Sequence, residues 1–168
     1  MLGRTNIIVL LLIGFFIAGC SSTKVAIQNA IELKGKRIGI GAIDITAAKK
    51  SKHHSADTVC ACTQQSTQQA LMPYLQEAGF KVVNLSAQSS LDFPQSMRAA
   101  DSLHLDYVLT GVGLVDIVGS STFMQQLTVK VLSVNTREIV LSGSFSGTSI
   151  RPVKAAGKLG EQIVKKMR

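Results

Sequence analysis

From residue 36 to about 85, the spacing of apolar and polar positions predicts a strand, a helix and a second strand. Residues 36–43 are charged at the start and then apolar at alternate positions, which predicts a strand. A helix is predicted over about 63–78, with Gly79 as its C-terminal cap. Residues 80–85 predict a second strand. A strand, a helix and a strand in this order predict a right-handed crossover between parallel strands.

A second helix follows, and after it the hydrophobic period changes. Asp92 is predicted as the N-cap of this helix and Pro94 lies in its first turn, so the helix is expected to end near His104. Its inward side chains are expected to be Met97, Ala100 and Leu103. From residue 106 onward the apolar positions recur at every second residue, which predicts strands instead of helices.

Three strands are predicted in this part of the chain, beginning near Asp106, Phe123 and Glu138. The segments 119–121 and 135–137 have the composition of tight turns, so consecutive strands should pair as an antiparallel meander. The side chains expected to point into the core from this meander are Leu109, Val129, Val131 and Ile139.

The chain ends with an amphipathic helix that is predicted to start at about Pro152. Its inward side chains are expected to be Val153, Ala156, Leu159, Ile163 and Met167. Residues 21–33 fit either a short helix or an edge strand, and the mostly polar residues 44–57 predict an exposed loop. The order βαβαβββα predicts a single α/β domain with a mixed parallel and antiparallel sheet and a C-terminal helix.

Residues 4–23 have the organisation of an export signal. Arg4 precedes an apolar run over 7–16, which is shorter than the ~20 residues of a comfortable membrane span. Residues 17–20, Ile-Ala-Gly-Cys, resemble the bacterial lipobox, whose cysteine receives diacylglycerol before the signal is cleaved. An ordinary secretory signal with an incidental cysteine is the alternative.

The lipobox resemblance divides the chain into three parts. It implies a signal peptide over 1–19, a lipidated tether over 20–35 that begins with Cys20, and a domain over 36–168. Two or three acyl chains on Cys20 would hold the protein at a membrane essentially permanently. Ser21 stands where lipoproteins retained on the inner membrane typically have aspartate, so the resemblance implies the outer membrane.

The formal net charge of +8 is concentrated near the C-terminus. The basic residues among the last 18 are Arg151, Lys154, Lys158, Lys165, Lys166 and Arg168, against the single Glu161. Because an exported lipoprotein rarely meets nucleic acid, the expected partners are anionic lipid headgroups, acidic glycans or the acidic face of a protein. Lys154, Lys158 and Lys165 are predicted to form one outward stripe that meets such a partner. A solvated helix face is the alternative.

No motif of a known catalytic class is present in the sequence. The chain lacks a phosphate-binding loop, a nucleophile elbow, a zinc-protease motif and a pair of carboxylates at a catalytic spacing. The three histidines, His53, His54 and His104, have no acidic partner at a recognisable spacing. The sequence therefore predicts a protein that is not an enzyme, has no catalytic residues and needs no cofactor.

His53, His54, Cys60 and Cys62 form a cluster of possible metal ligands within ten residues. Three interpretations stay open: a zinc or copper site, a disulfide formed in the oxidising envelope, and inert packing. A disulfide between Cys60 and Cys62 would be strained because the loop between them is short. If the segment is helical, the two cysteines lie on different faces, and one of them is a small buried hydrophobe.

Two segments carry a resemblance to a known family. Residues 105–111, Leu-Asp-Tyr-Val-Leu-Thr-Gly, and residues 129–140, Val-Lys-Val-Leu-Ser-Val-Asn-Thr-Arg-Glu-Ile-Val, resemble the closing strands of the CsgG-like, TolB N-terminal-like superfamily of outer-membrane lipoproteins. The resemblance covers about 36–168. The family includes lipoproteins of curli secretion, flagellar assembly and Pel-polysaccharide export, and activators of penicillin-binding proteins.

The resemblance implies a non-enzymatic assembly or accessory component of an envelope secretion, polysaccharide-export or appendage-building machine. Such a component would be a homo-oligomer, anchored by lipid to the periplasmic face of the outer membrane. The alternative is a monomeric lipoprotein that activates a periplasmic cell-wall synthase. This chain lacks the long Pro-rich spacer of those activators, and about 15 residues between Cys20 and Lys36 reach ~50 Å at most.

Overall fold

The computed structural model describes residues 21–28, 30–48, 55–85 and 92–168. These residues form six strands and four helices, numbered here in chain order. The elements are β1 (Ser22–Ile27), α1 (Ala30–Leu33), β2 (Arg37–Ala47), α2 (Ser55–Glu77), β3 (Lys81–Asn84), α3 (Phe93–Ser102), β4 (Tyr107–Val118), β5 (Ser121–Ser133), β6 (Ile139–Ile150) and α4 (Pro152–Met167). From β2 to α4 the order is the predicted βαβαβββα, which confirms the fold class.

The six strands form one mixed sheet in the order β1-β6-β5-β4-β2-β3. Strand β2 is parallel to β3 on one side and to β4 on the other, as the crossover connections predict. Strands β4, β5 and β6 pair antiparallel in sequence order, which confirms the meander. None of the helices within the described residues is long and apolar enough to span a bilayer.

Residues 22–33, within the segment predicted as a lipidated tether over 20–35, form secondary structure that packs on the domain. Strand β1 pairs antiparallel with β6, from Ser22 opposite Ser146 to Ile27 opposite Leu141, and α1 follows it. The edge strand and the short helix, the two structures that fit residues 21–33, are therefore both present. The predicted exposed loop over 44–57 is also too long, because β2 continues to Ala47 and α2 begins at Ser55.

The main core lies between the sheet and the two longer helices. Leu109, Val129 and Val131 are fully buried against α2 and α4, as predicted. Ile139 is 40% exposed, so its predicted inward position is wrong. A bulge explains the error: Leu141 pairs with Val131 and Ile139 with Leu132, which leaves an extra residue in β6. This extra residue turns Ile139 to the other face of the sheet.

Helix α3 covers part of the opposite face of the sheet. Asp92 is its N-cap and forms the predicted start, with a reciprocal hydrogen-bond pair to Gln95. Met97 and Ala100 are buried against Val108 in a smaller core, which confirms two of the three predicted inward residues. Leu103 is 47% exposed because it lies just after the last helical residue, where the helical period no longer applies.

Helix α4 packs its apolar face on the sheet and on α2. Ala156, Leu159, Ile163 and Met167 are buried, as predicted. Val153 is 53% exposed, so this prediction is wrong. In the first turn the buried positions are Pro152 and Ala155, and Val153 lies to one side of them.

Candidate functional site

The residue that follows the expected lipidation site is fixed to the domain. Cys20 itself lies outside the described residues, but Ser21 accepts a hydrogen bond from Lys158 Nζ to its Oγ at 2.7 Å. The next residue, Ser22, is hydrogen-bonded through its hydroxyl to the hydroxyl of Ser146 on β6 at 2.9 Å. No local sequence signal predicts the contact between Ser21 and Lys158, because 137 positions separate the two residues.

The three lysines predicted to form an outward stripe differ in their surroundings. Lys154 and Lys165 are exposed on α4, and neither makes an ion pair with another described residue. Lys158 is half-buried, and its Nζ donates to Ser21 Oγ, so it makes a contact within the domain that the other two lysines do not make. Lys154 and Lys165 lie about 16 Å apart along the helix axis, at the rise of ~1.5 Å per residue. They therefore belong to different ends of the domain.

A groove of about 840 Å³ lies where α2 begins, the β4–β5 hairpin turns and α4 begins. The side chains that define its chemistry are Cys62, Ser66, Thr122, Arg151, Val153 and Lys154. Among the described residues, none that lines this groove is acidic. Its hydroxyls, two cations and aliphatic surface can receive an anionic group.

The predicted cluster of metal ligands is only partly described. His53 and His54 lie outside the described residues. Cys60 is half-buried and packs against the main core, whereas Cys62 is exposed, so the two thiols lie on different faces of α2. Both are free, which argues against a disulfide between them. Within the described part of the chain, no three potential ligands lie close enough together to hold a metal ion.

Burial raises the pKa of the Cys60 thiol, and the nearby Asp57 carboxylate raises it further. A thiol with a raised pKa is mostly protonated at neutral pH, and the protonated form is a poor nucleophile and a poor metal ligand. The contact of Cys60 with the main core accords with the packing interpretation, and the metal site stays a prediction because His53 and His54 lie outside the described residues.

The buried polar side chains are occupied with holding the backbone together. Ser96 Oγ on α3 accepts a hydrogen bond from the Ala42 backbone N–H at 3.0 Å. From the opposite face of the sheet, Gln68 Nε2 on α2 donates to the Gly41 carbonyl oxygen at 2.7 Å. These two bonds clamp β2 at the irregularity between Ile40 and Ile43, where its pairing with β4 shifts register. Ser96 and Gln68 thus stabilise this part of β2.

A second surface feature is the part of the sheet that α3 leaves open. Phe93, Val112 and Ile139 are exposed apolar side chains around a groove of about 390 Å³ on the α3 side of β4, β5 and β6. Asp44 and Lys130 border the same groove. Clusters of exposed apolar side chains rimmed by charge are typical of protein–protein contact surfaces.

No protein-family profile matches the chain, and no curated protein matches its sequence. Solved structures do match it. PelC from Paraburkholderia phytofirmans, solved as a dodecamer, is 14% identical, and the match covers 88% of this chain and 97% of PelC with a TM-score of 0.55. The C-terminal domain of LpoB from Salmonella enterica is 17% identical over 70% of this chain and 84% of that domain, with a TM-score of 0.38. The similarity to PelC extends over nearly the whole PelC chain and shows that the two proteins share a fold.

Proposed function

We propose that this protein is a lipid-anchored, non-enzymatic component of an envelope secretion, polysaccharide-export or appendage-building machine, held at the periplasmic face of the outer membrane. The observation that carries the proposal is the position of β1, which begins at Ser22, two residues after the lipobox cysteine. A domain that begins this close to its acyl chains stays at the membrane that holds them.

The short connection favours a machine assembled at that membrane over the activator alternative. One extended residue spans only ~3.3–3.6 Å, so Ser21 adds almost no reach between Cys20 and the sheet. Strand β1 is paired along its whole length with β6, so its residues cannot be used as a spacer without breaking the sheet. An activator of a synthase held in the opposite membrane needs a long spacer to reach its partner.

Two observations support a homo-oligomer. PelC, which shares the fold, is a dodecamer in its solved structure. The apolar groove around Phe93, Val112 and Ile139 is not covered by any described element of this chain, and a neighbouring subunit could bury it. Burial of these side chains would stabilise the contact by about 25 cal/mol for each Å² of apolar surface that is removed from water.

A non-enzymatic role accords with the chemistry of the interior. Ser96, Thr67 and Gln68, buried polar residues, are each hydrogen-bonded to backbone groups. We expect the purified protein to carry no stoichiometric zinc or copper. Metal analysis of the mature protein tests this expectation directly, and a bound metal would bring His53, His54, Cys60 and Cys62 back as its ligands.

Anchoring is tested by replacing Cys20 with alanine. Metabolic labelling with a fatty acid should mark the parent protein and not the Cys20→Ala variant, which should also leave the outer-membrane fraction. Label that persists in the variant would contradict the anchor. Membrane fractionation of the parent distinguishes the outer from the inner membrane.

Assembly is tested by native mass spectrometry of the detergent-solubilised mature protein. A ring component should appear as a large homo-oligomer, and Val112→Asp or Ile139→Asp should reduce it to smaller species because a charge is buried in the contact. Ile31→Asp is a matched control, since Ile31 is 83% exposed and lies away from the groove. A parent protein that is monomeric at all concentrations would favour the activator alternative.

A further inference from the structure

The direction in which the chain leaves the sheet identifies the end of the domain nearest to the anchor. Strand β1 is antiparallel to β6, so continuing β1 backwards from Ser22 means continuing β6 forwards towards Ile150 and Pro152. The hydrogen bond from Lys158 fixes Ser21 beside α4 in this direction. Ser21, the residue next to the proposed lipidation site, therefore lies towards the end of the domain where β6 passes into α4.

Two exposed structures share this end of the domain. They are the tip of the β4–β5 hairpin, at 118–121, and the start of α4, at 151–154, which line the same groove. Val118 in the tip is 63% exposed and Val153 in α4 is 53% exposed. We call the two segments together the anchor-end surface.

The anchor-end surface combines aliphatic side chains with unpaired cations. Arg151 and Lys154 are exposed, and neither forms an ion pair with any other residue that the structure describes. The first turn of α4 contains no acidic residue. Aliphatic side chains next to lysine or arginine are typical of surfaces that bind a bilayer. The aliphatic groups insert at the boundary of the acyl chains, and the cations bind the phosphate groups of the lipids.

We propose that the anchor-end surface lies on the membrane and that Arg151 and Lys154 bind anionic phospholipid headgroups. The inference rests on the lipid anchor of the proposed function and adds the orientation of the domain and the lipid class that it recognises. In this orientation Lys158 has a different task, because it holds Ser21 and so fixes the anchor relative to the surface. Lys165, in the last turn of α4, points to the opposite end of the domain and takes no part.

The absence of tryptophan from the chain allows a direct test, since a single introduced tryptophan reports alone. Mature lipidated protein carrying Val153→Trp is reconstituted into phosphatidylcholine vesicles with and without phosphatidylglycerol, and brominated lipid is used as the quencher. A side chain ~5–10 Å deep in the interface should be strongly quenched. Val118→Trp provides a second reporter in a different element. Ile31→Trp, at the other end of β1, is the matched control and should be quenched little.

The headgroup contact is tested by charge reversal in the Val118→Trp protein. Arg151→Glu with Lys154→Glu should remove the extra quenching caused by phosphatidylglycerol, and salt near 1 M should do the same because the Debye length falls to about 3 Å. Lys165→Glu with Lys166→Glu makes the same change of charge at the far end of α4 and should have no effect. Circular dichroism verifies that each variant is folded.

Three results would overturn the orientation or the headgroup contact. Equal quenching at positions 31 and 153 would mean that the domain has no preferred orientation, and weak quenching at both 118 and 153 would place another surface on the membrane. Quenching that is insensitive to phosphatidylglycerol and to the combined Arg151→Glu and Lys154→Glu change would refute headgroup binding. Intact-mass measurement of the same samples shows whether Cys20 is lipidated, so a failure of the anchor is distinguished from a failure of the orientation.

Discussion

Replacement of Ser96 by alanine tests how much the hydrogen bond between α3 and the irregular part of β2 stabilises the fold. Ser96 is fully buried, and its hydroxyl both accepts from the Ala42 N–H at 3.0 Å and donates to the Asp92 carbonyl oxygen at 2.9 Å. The Asp92 carbonyl keeps another donor in the variant, since the Ser96 backbone N–H is also bonded to it at 2.9 Å. The substitution therefore leaves one buried backbone donor, the Ala42 N–H, without the partner that the wild-type side chain supplies.

The size of the effect follows from the desolvation of that donor. A buried polar group that loses its partner costs about 1–3 kcal/mol, whereas the removal of a hydroxyl from an exposed position costs little. Ala42 lies in the irregular part of β2, between the pairs that Ile40 and Ile43 make with β4, so the ladder offers its N–H no replacement there. We expect Ser96→Ala to lower the free energy of unfolding by about 2 kcal/mol.

Urea unfolding followed by circular dichroism measures this change. With a denaturant slope of ~2 kcal/mol per M, the midpoint should fall by about 0.5–1.5 M while the slope stays the same. Ser102→Ala is the matched control, because Ser102 is exposed at the end of the same helix and its hydroxyl bonds only to the Arg98 carbonyl, at 3.0 Å. Equal midpoints for the two variants would refute the reasoning and show that the Ala42 N–H finds water or another acceptor.

Three further predictions concern the core and the thiols. Val131→Ala removes two methyl groups from a fully buried position and should destabilise the protein by about 2–4 kcal/mol, read as a lower unfolding midpoint; an unchanged midpoint would contradict the assignment of this face. Gly160→Ala places a methyl group against the Tyr74 ring between α2 and α4 and should cost about 1–3 kcal/mol in the same assay, whereas a neutral effect would mean that the ring moves freely. Because the pKa of Cys60 is raised, its thiolate fraction at pH 8 is low. Iodoacetamide should therefore alkylate the exposed Cys62 first, and Cys60 only as the pH increases. Equal alkylation rates at pH 8, measured by mass spectrometry, would contradict this prediction.

The sequence predicted the elements that local signals define. The N-cap Asp92, the proline at the start of α4 and the alternation along β4 and β5 are all signals that lie within a few residues. The parallel arrangement of β2 and β3 followed from the handedness of crossovers and needed no tertiary information. These signals sufficed for the fold class.

The incorrect predictions concern residues whose structure depends on contacts with distant parts of the chain. The alternation of β6 predicts that Ile139 points to the same face as Leu141. The bulge that turns Ile139 to the other face is visible only in the pairing with β5. Residues 22–27 have a half-buried alternation that suits several structures, and only the partner strand β6 makes them a strand. The sequence placed Lys158 correctly on the polar face of α4, but its bond to Ser21 depends on that same pairing.

The pairing of β1 with β6 also determines when the protein can finish folding. The residues of this pair are separated by up to 124 positions, so the first strand of the sheet in the chain has to wait for the last one. Contacts this distant in sequence form late and slow the folding of a domain. In the exported lipoprotein that we propose, Ser22–Ile27 would still be unpaired when the lipidating enzymes act on Cys20, because β6 is synthesised long after them. Completion of the sheet then fixes Ser21 and Ser22 against α4 and β6, so the residues next to the proposed lipidation site become ordered in a late step of folding.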